Sequence, residues 1–217
     1  MILFFKKLHI KNKEKRSTPK QAGMTLLELL VVLSIFIIMS SIAIFNYGGF
    51  QGKVDIKNLA NDIALKIVAA QRSSLSGQLP SVAQQPSMIF NWKPSYGLYF
   101  NLSTSDKSFI NFTDLNNNNT YDGSDCAGEC SSKISITRGD NISRIDVFYQ
   151  GDTPSSHSVP SLNDLTISFT RPDPGATITS TTTLSSNLID YAQITINSPQ
   201  SVTSKIKVYA PGRIQIN

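Results

Sequence analysis

The sequence predicts an α+β fold. One long N-terminal helix, apolar in its first half and amphipathic in its second, packs on a mostly antiparallel β-sheet head. Three observations carry this expectation. An apolar run opens at Met24 and continues to about Phe45 with one ionisable side chain, Glu28. Beyond it, Ile56, Leu59, Ala60, Ile63, Ile67 and Ala70 recur at three- and four-residue spacing, which places them on one side of a helix. After Pro80 the period drops to two, and Pro, Gly, Asn and Ser clusters separate short apolar runs, as in strands joined by turns. The chain therefore divides into a basic segment 1–23, an apolar helix 24–45, its amphipathic continuation 46–79 and a β-rich head 80–217.

The apolar helix comes first. About 20 apolar residues at ~1.5 Å rise cross ~30 Å of hydrocarbon, so 24–45 is long enough to span a bilayer. A carboxylate inside such a run costs ~2.5–3.5 kcal/mol on insertion scales, so Glu28 reads as a functional group. A cleavable secretory signal would have a shorter apolar centre of about 7–15 residues, with a small-residue cut site beyond it. Ser34, Ser40 and Ser41 are tolerated in the span because serine bonds back to its own helix carbonyls.

Charge sets the direction of insertion. The 217-residue chain has a formal net charge of +5, but seven of its 20 Lys/Arg stand in residues 1–23 beside one acid, Glu14. The remainder carries 13 basic and 14 acidic residues. The basicity thus belongs to the N-terminal segment and is no argument for a nucleic-acid surface on the head. Lys and Arg beside a span stay cytoplasmic, which puts the head on the other side.

In the amphipathic continuation, Gly48-Gly49 are expected to bend or loosen the helix, since each glycine costs roughly 1 kcal/mol relative to alanine. Asp62 and Lys66 are spaced for an i,i+4 ion pair. The helix is expected to end near Ser76-Gly77, ahead of Pro80. Strands are expected at Ser87–Asn91, Gly97–Phe100, Phe109–Phe112, Ile134–Thr137, Arg144–Phe148, Leu165–Phe169, Ala192–Ile196, Ile206–Tyr209 and Arg213–Ile216. Ile194/Ile196 and Ile206/Val208 alternate with Thr195 and Lys207, the pattern of half-buried antiparallel strands. Ser155–Pro160 and Pro172–Ser186 read as exposed loops. Trp92, Tyr96 and Tyr99 read as core and turn aromatics.

Gly23-Met24-Thr25-Leu26-Leu27-Glu28-Leu29-Leu30 resembles the class III signal of type IV pilins and type II secretion pseudopilins. The resemblance implies that a prepilin peptidase cuts between Gly23 and Met24 and N-methylates Met24. It implies that Glu28 guides docking of subunits into a filament. The head pieces Pro94–Phe100, Phe112-Thr113-Asp114 and Ala210–Ile214 are similar to H-type minor pseudopilins and FimT-like proteins.

Within the head, Asp114, Asn116, Asn118, Thr120, Asp122 and Asp125 have the oxygen spacing of an EF-hand-type calcium loop. Two departures weaken the match. Asn119 stands where the turn glycine belongs, and Asp125 replaces the longer bidentate Glu. The competing reading is an Asn-rich polar turn. Cys126 and Cys130 follow at once, and in an oxidising compartment so close a pair reads as a disulfide pinning the end of that loop.

The functional expectation is a non-enzymatic structural subunit. It inserts in the bacterial inner membrane with its N-terminus cytoplasmic, and its partners are the peptidase, membrane lipid, an assembly platform and other pilin or pseudopilin subunits. Catalysis finds no scaffold: His157, the single histidine beyond residue 23, sits in a Ser/Pro loop without a nucleophile turn. Two alternatives stand beside the subunit. Some FimT-like pilins bind DNA through a Gly-Arg-x-Arg motif, and here Gly212-Arg213-Ile214-Gln215 lacks the second arginine, leaving Lys205, Lys207 and Arg213 as the phosphate-contact candidates. A plain membrane-anchored binding domain is the other.

Overall fold

A computed structural model describes residues 23–85, 94–152, 161–182, 184–185 and 188–217. The expected strand Ser87–Asn91, Trp92, the loop Ser155–Pro160 with His157, and the basic residues 1–22 lie outside these. The chain divides into two units, Met1–Phe45 and Asn46–Asn217.

The helix α1 runs Leu26–Leu75. It starts where Thr25 can cap it: the Glu28 backbone N–H donates to Thr25 Oγ1 at 3.2 Å, and the Leu29 N–H makes the first helical bond to Thr25 O. It stops in a Schellman turn. Gly77, at φ 65°, donates to Ser74 O and Gln78 donates to Ser73 O, both at 3.0 Å. Gly48 and Gly49, where a bend or loosening is expected, are both helical, and a Cβ at either would meet nothing within 4 Å. Of the described ion pairs, Lys133–Asp125, Arg138–Asp55 and Arg144–Asp146, none is the expected Asp62–Lys66.

Among the described residues the head builds nine strands: β1 Ser95–Asn101, β2 Ser108–Asp114, β3 Cys130–Ser135, β4 Asn141–Tyr149, β5 Asp164–Phe169, β6 Ala176–Thr179, β7 Ile189–Asn197, β8 Thr203–Tyr209 and β9 Ile214–Ile216. They form two antiparallel sheets, ordered β3-β2-β1-β5-β6 and β4-β7-β8-β9. Two expectations need correction. The stretch Pro172–Ser186 is not all loop, because β6 lies within it. Its one buried apolar residue, Ile178, pairs with Ile167, and Asp164 holds the chain beyond by accepting from the Thr181 N–H and from the Ser180 and Thr181 hydroxyls. And β3 is displaced toward the N-terminus of Ile134–Thr137, since the disulfide-bonded Cys130 brings the chain onto Phe112.

One core joins the second half of α1 to both sheets. Ile56, Ala60, Ile63, Ile67 and Ala70 are buried from the helix, as the spacing predicts. Leu98 pairs with Ile167 and Phe100 with Leu165 in the first sheet. Ile194 pairs with both Ile145 and Ile206 in the second. All these side chains are fully buried, each contributing ~1.5–3 kcal/mol of transfer free energy. Gln71 Nε2 ties the helix to the turns, donating to Pro174 O at 2.7 Å and Gly212 O at 3.3 Å.

Candidate functional site

The first candidate region is the N-terminal segment. Gly23, Met24 and Thr25 precede the helix and are exposed, and so is Glu28 in its first turn. A Cβ at Gly23 would meet nothing within 4 Å, so the chain's own packing does not require glycine there. Thr25 and Glu28 together have the Thr-x-x-Glu spacing of a capping box, a signal readable in the sequence and absent from the expected site residues. A carboxylate in the first turn also faces the positive end of the helix dipole. From Leu26 to Ile44 the large apolar side chains are exposed all round; Leu26 is 80% and Ile44 72% accessible. Ser34 and Ser41 satisfy their hydroxyls on Val31 O and Ile37 O, at 2.8 and 2.9 Å. Among the described residues, α1 is the one helix long and apolar enough to cross a membrane.

Residues 18–44 match the family model described as the prokaryotic N-terminal methylation motif. The chain carries that motif. Gly23, Met24, Thr25 and Glu28 all fall inside the matched interval. No curated protein and no solved structure matches the chain.

The second candidate region is the loop from Asp114 to Cys130. Asp114 is fully buried and organises its start: Oδ1 accepts from the backbone N–H of Asn116 and Asn117, and Oδ2 accepts from that of Asn119. Asn116 and Asn118 close the next turns by accepting from the N–H two residues on, and their amides donate to Asp122. Thr120 also donates to Asp122, at 3.4 Å. Asn119 takes φ 60°, the left-handed conformation that asparagine tolerates in place of glycine. Its side chain and carbonyl accept from Thr170, Ser168 and Thr179, which fastens the loop to β5 and β6.

Five of the six expected calcium ligands therefore share one turn system, and the sixth leaves it. Asp125 turns away to Lys133. Glu129, which the spacing did not single out, takes the inner position instead: it accepts from the Leu115 and Asp122 backbone N–H groups at 2.9 and 3.2 Å. Each of these oxygens accepts from the loop's own donors. Among the described residues no three His, Cys, Asp or Glu side chains are grouped to hold a metal ion. No role is derived through calcium. Burial raises Glu129 above the ordinary carboxylate value against the pull of those two N–H donors, and the nearby Asp114 and Asp122 charges raise it further. Cys126 and Cys130 are disulfide-bonded, closing the far end of the loop.

The third set is Lys205, Lys207 and Arg213. They lie on or beside β8, on the side away from the buried Ile206 and Val208. Two of them rest on a ladder of rings. Phe148, Tyr191 and Tyr209 stack across β4, β7 and β8 with centroids 4.6 and 5.2 Å apart. Lys207 Nζ sits 4.6 Å from the Tyr191 centroid and Arg213 Cζ 3.9 Å from that of Tyr209. These contacts explain the cations through packing within the head.

Proposed function

We propose that the protein is a non-enzymatic structural subunit of a pilin-like filament, either a type IV pilus or a type II secretion pseudopilus. The observation that carries the reading is the methylation motif at 18–44, an interval that contains Gly23, Met24 and Glu28. The basic residues before Gly23 hold the precursor N-in. A prepilin peptidase cuts after Gly23 and methylates the Met24 amine. Subunits then leave the bilayer sideways, guided by the assembly platform, and pack helix against helix.

Energetics favour this order. Each apolar side chain of 24–45 exchanges lipid for a neighbouring helix, a nearly neutral transfer. Specificity then rests on polar groups. The Glu28 carboxylate on one subunit meets the Met24 amine on its neighbour, and leaving one member of such a buried pair alone costs ~3–5 kcal/mol.

Mass spectrometry of the membrane-extracted protein tests the reading. The expected mass lacks residues 1–23 and carries one added methyl on Met24. Replacing Gly23 with a bulky residue should leave the precursor uncut. Mature-sized protein in that strain, or an intact leader in the wild type, overturns the assignment.

A further inference from the structure

The outer face of the five-stranded sheet carries a second, smaller apolar cluster of Ile110, Phe112 and Tyr121, with Tyr99 packed against it. Gly97 makes room for it, since a Cβ there would fall 2.7 Å from a ring carbon of Phe112. Beside this cluster opens a cavity of about 310 Å³. Tyr99 and Tyr121 form its aromatic side, with ring centroids 5.1 Å apart and planes inclined at 38°. Asn101 and Thr104 of the β1–β2 turn line one edge, and the Asp125–Lys133 ion pair lines the other.

We infer that this cavity binds a single neutral polyhydroxylated ring, a monosaccharide unit. Size is the first argument. At about 310 Å³ it stands at the small end of the ~300–1,000 Å³ range of ligand pockets, which suits one ring rather than a polymer along its length. Charge is the second. The lining holds one acid and one base, already paired to each other, so a charged ligand has no unopposed partner and a cation over the rings would face Lys133. Polarity is the third. The rim mixes donors and acceptors in the amide of Asn101, the hydroxyl of Thr104, the carboxylate and the ammonium. A wholly apolar ligand would strip water from those groups without replacing it. A pyranose offers a C–H face to the tyrosines and hydroxyls, each both donor and acceptor, to the rim.

The site is also held in shape before any ligand arrives. Tyr121 donates its hydroxyl to Asp125 O at 2.6 Å, and Asn101 Nδ2 donates to Tyr99 Oη at 2.8 Å. Glu129 and the Cys126–Cys130 disulfide fix the loop that carries Tyr121 and Asp125. A wall fixed in this way has little order left to gain on binding. The inference stands on the head alone and is independent of the filament reading.

The test uses the full chain in a zwitterionic detergent free of sugar head groups. Saturation-transfer NMR is run with glucose, galactose, mannose and N-acetylglucosamine, with oligosaccharides ending in each, and with N-acetyl-lysine amide as the cationic probe. The expected result is saturable binding of one sugar in the millimolar range. Lys133→Met and Thr104→Val should each weaken it about tenfold with the melting temperature unchanged. Binding of the free sugar identifies a soluble ligand, and binding only of the oligosaccharide identifies the end of a glycan. Either supports the site. No sugar binding, binding indifferent to both substitutions, or preference for the lysine amide overturns it.

Discussion

The helix α1 uses apolar residues in two different ways along its length. From Leu26 to Ile44 they are spread round the whole circumference and are exposed, Leu29 at 51% and Phe36 at 67%. From Ile56 to Ala70 the buried ones, Ile56, Ala60, Ile63, Ile67 and Ala70, form one stripe, and Leu65 stands outside it. The stripe has its partner within the chain, in both sheets. The all-round apolar surface is long and apolar enough to cross a membrane. Acids differ in the same sense. The apolar half carries one, exposed Glu28, while the head buries Asp114, Glu129, Asp140 and Asp164 among hydrogen-bond donors.

Glu28→Ala attacks this contrast hardest. It should leave processing intact and reduce filament incorporation by about two orders of magnitude, the equivalent of ~3 kcal/mol. Immunoblots of sheared filaments against whole cells measure it, and normal incorporation would remove Glu28 from the assembly role. Next comes Ile63→Ala in the buried stripe, expected to lower head stability by ~2–5 kcal/mol in denaturant unfolding. Thr25→Ala should loosen only the first turn, by ~1 kcal/mol, read as faster hydrogen exchange at the Glu28 amide. Leu65→Ala, one helical step from the stripe and 65% exposed, should stay within ~0.5 kcal/mol of wild type. Equal effects at Ile63 and Leu65 would erase the distinction between stripe and surface.

The buried acids give a pH signature. Burial raises Glu129 above 4.5, and burial with the Asp55 charge raises Asp140 above 3.8. A carboxyl whose folded value is raised favours the folded state below its unfolded value and loses that advantage as pH rises through the folded one. The melting temperature should therefore rise as pH falls from 7 toward 4.5, relative to a Glu129→Gln, Asp140→Asn double variant. Parallel curves for the two proteins would show that neither acid is coupled to folding.

Much of this was legible in the sequence, because periodicity reports which face is wet. The helical stripe, and the alternation in β7 and β8, follow from burial on one side. The N-terminal segment was legible through its resemblance to the class III signal, carried by Gly23-Met24-Thr25-Leu26-Leu27-Glu28. What escaped depends on partners distant in sequence. Strand β6 offers one buried apolar residue, Ile178, and is made by Asp164 and Ile167. Glu129 has no periodic neighbours, and its role comes from a chain reversal that brings it back to Leu115 and Asp122. Oxygen spacing brought Asp114, Asn116, Asn118 and Asp122 into one turn, but it did not say that Asp125 would face Lys133.

The order of strands has a kinetic consequence. Strand β4 belongs to the second sheet but precedes β5, which the first sheet needs beside its central strand β1. Leu98 must find Ile167, and Ile145 must find Ile194, before either sheet is continuous. Such pairings close long loops, so the head is expected to fold in milliseconds to seconds rather than microseconds. During that interval β4 waits with an open edge, exposed to proteases and to other chains. A truncation ahead of β7 would leave it in that state permanently.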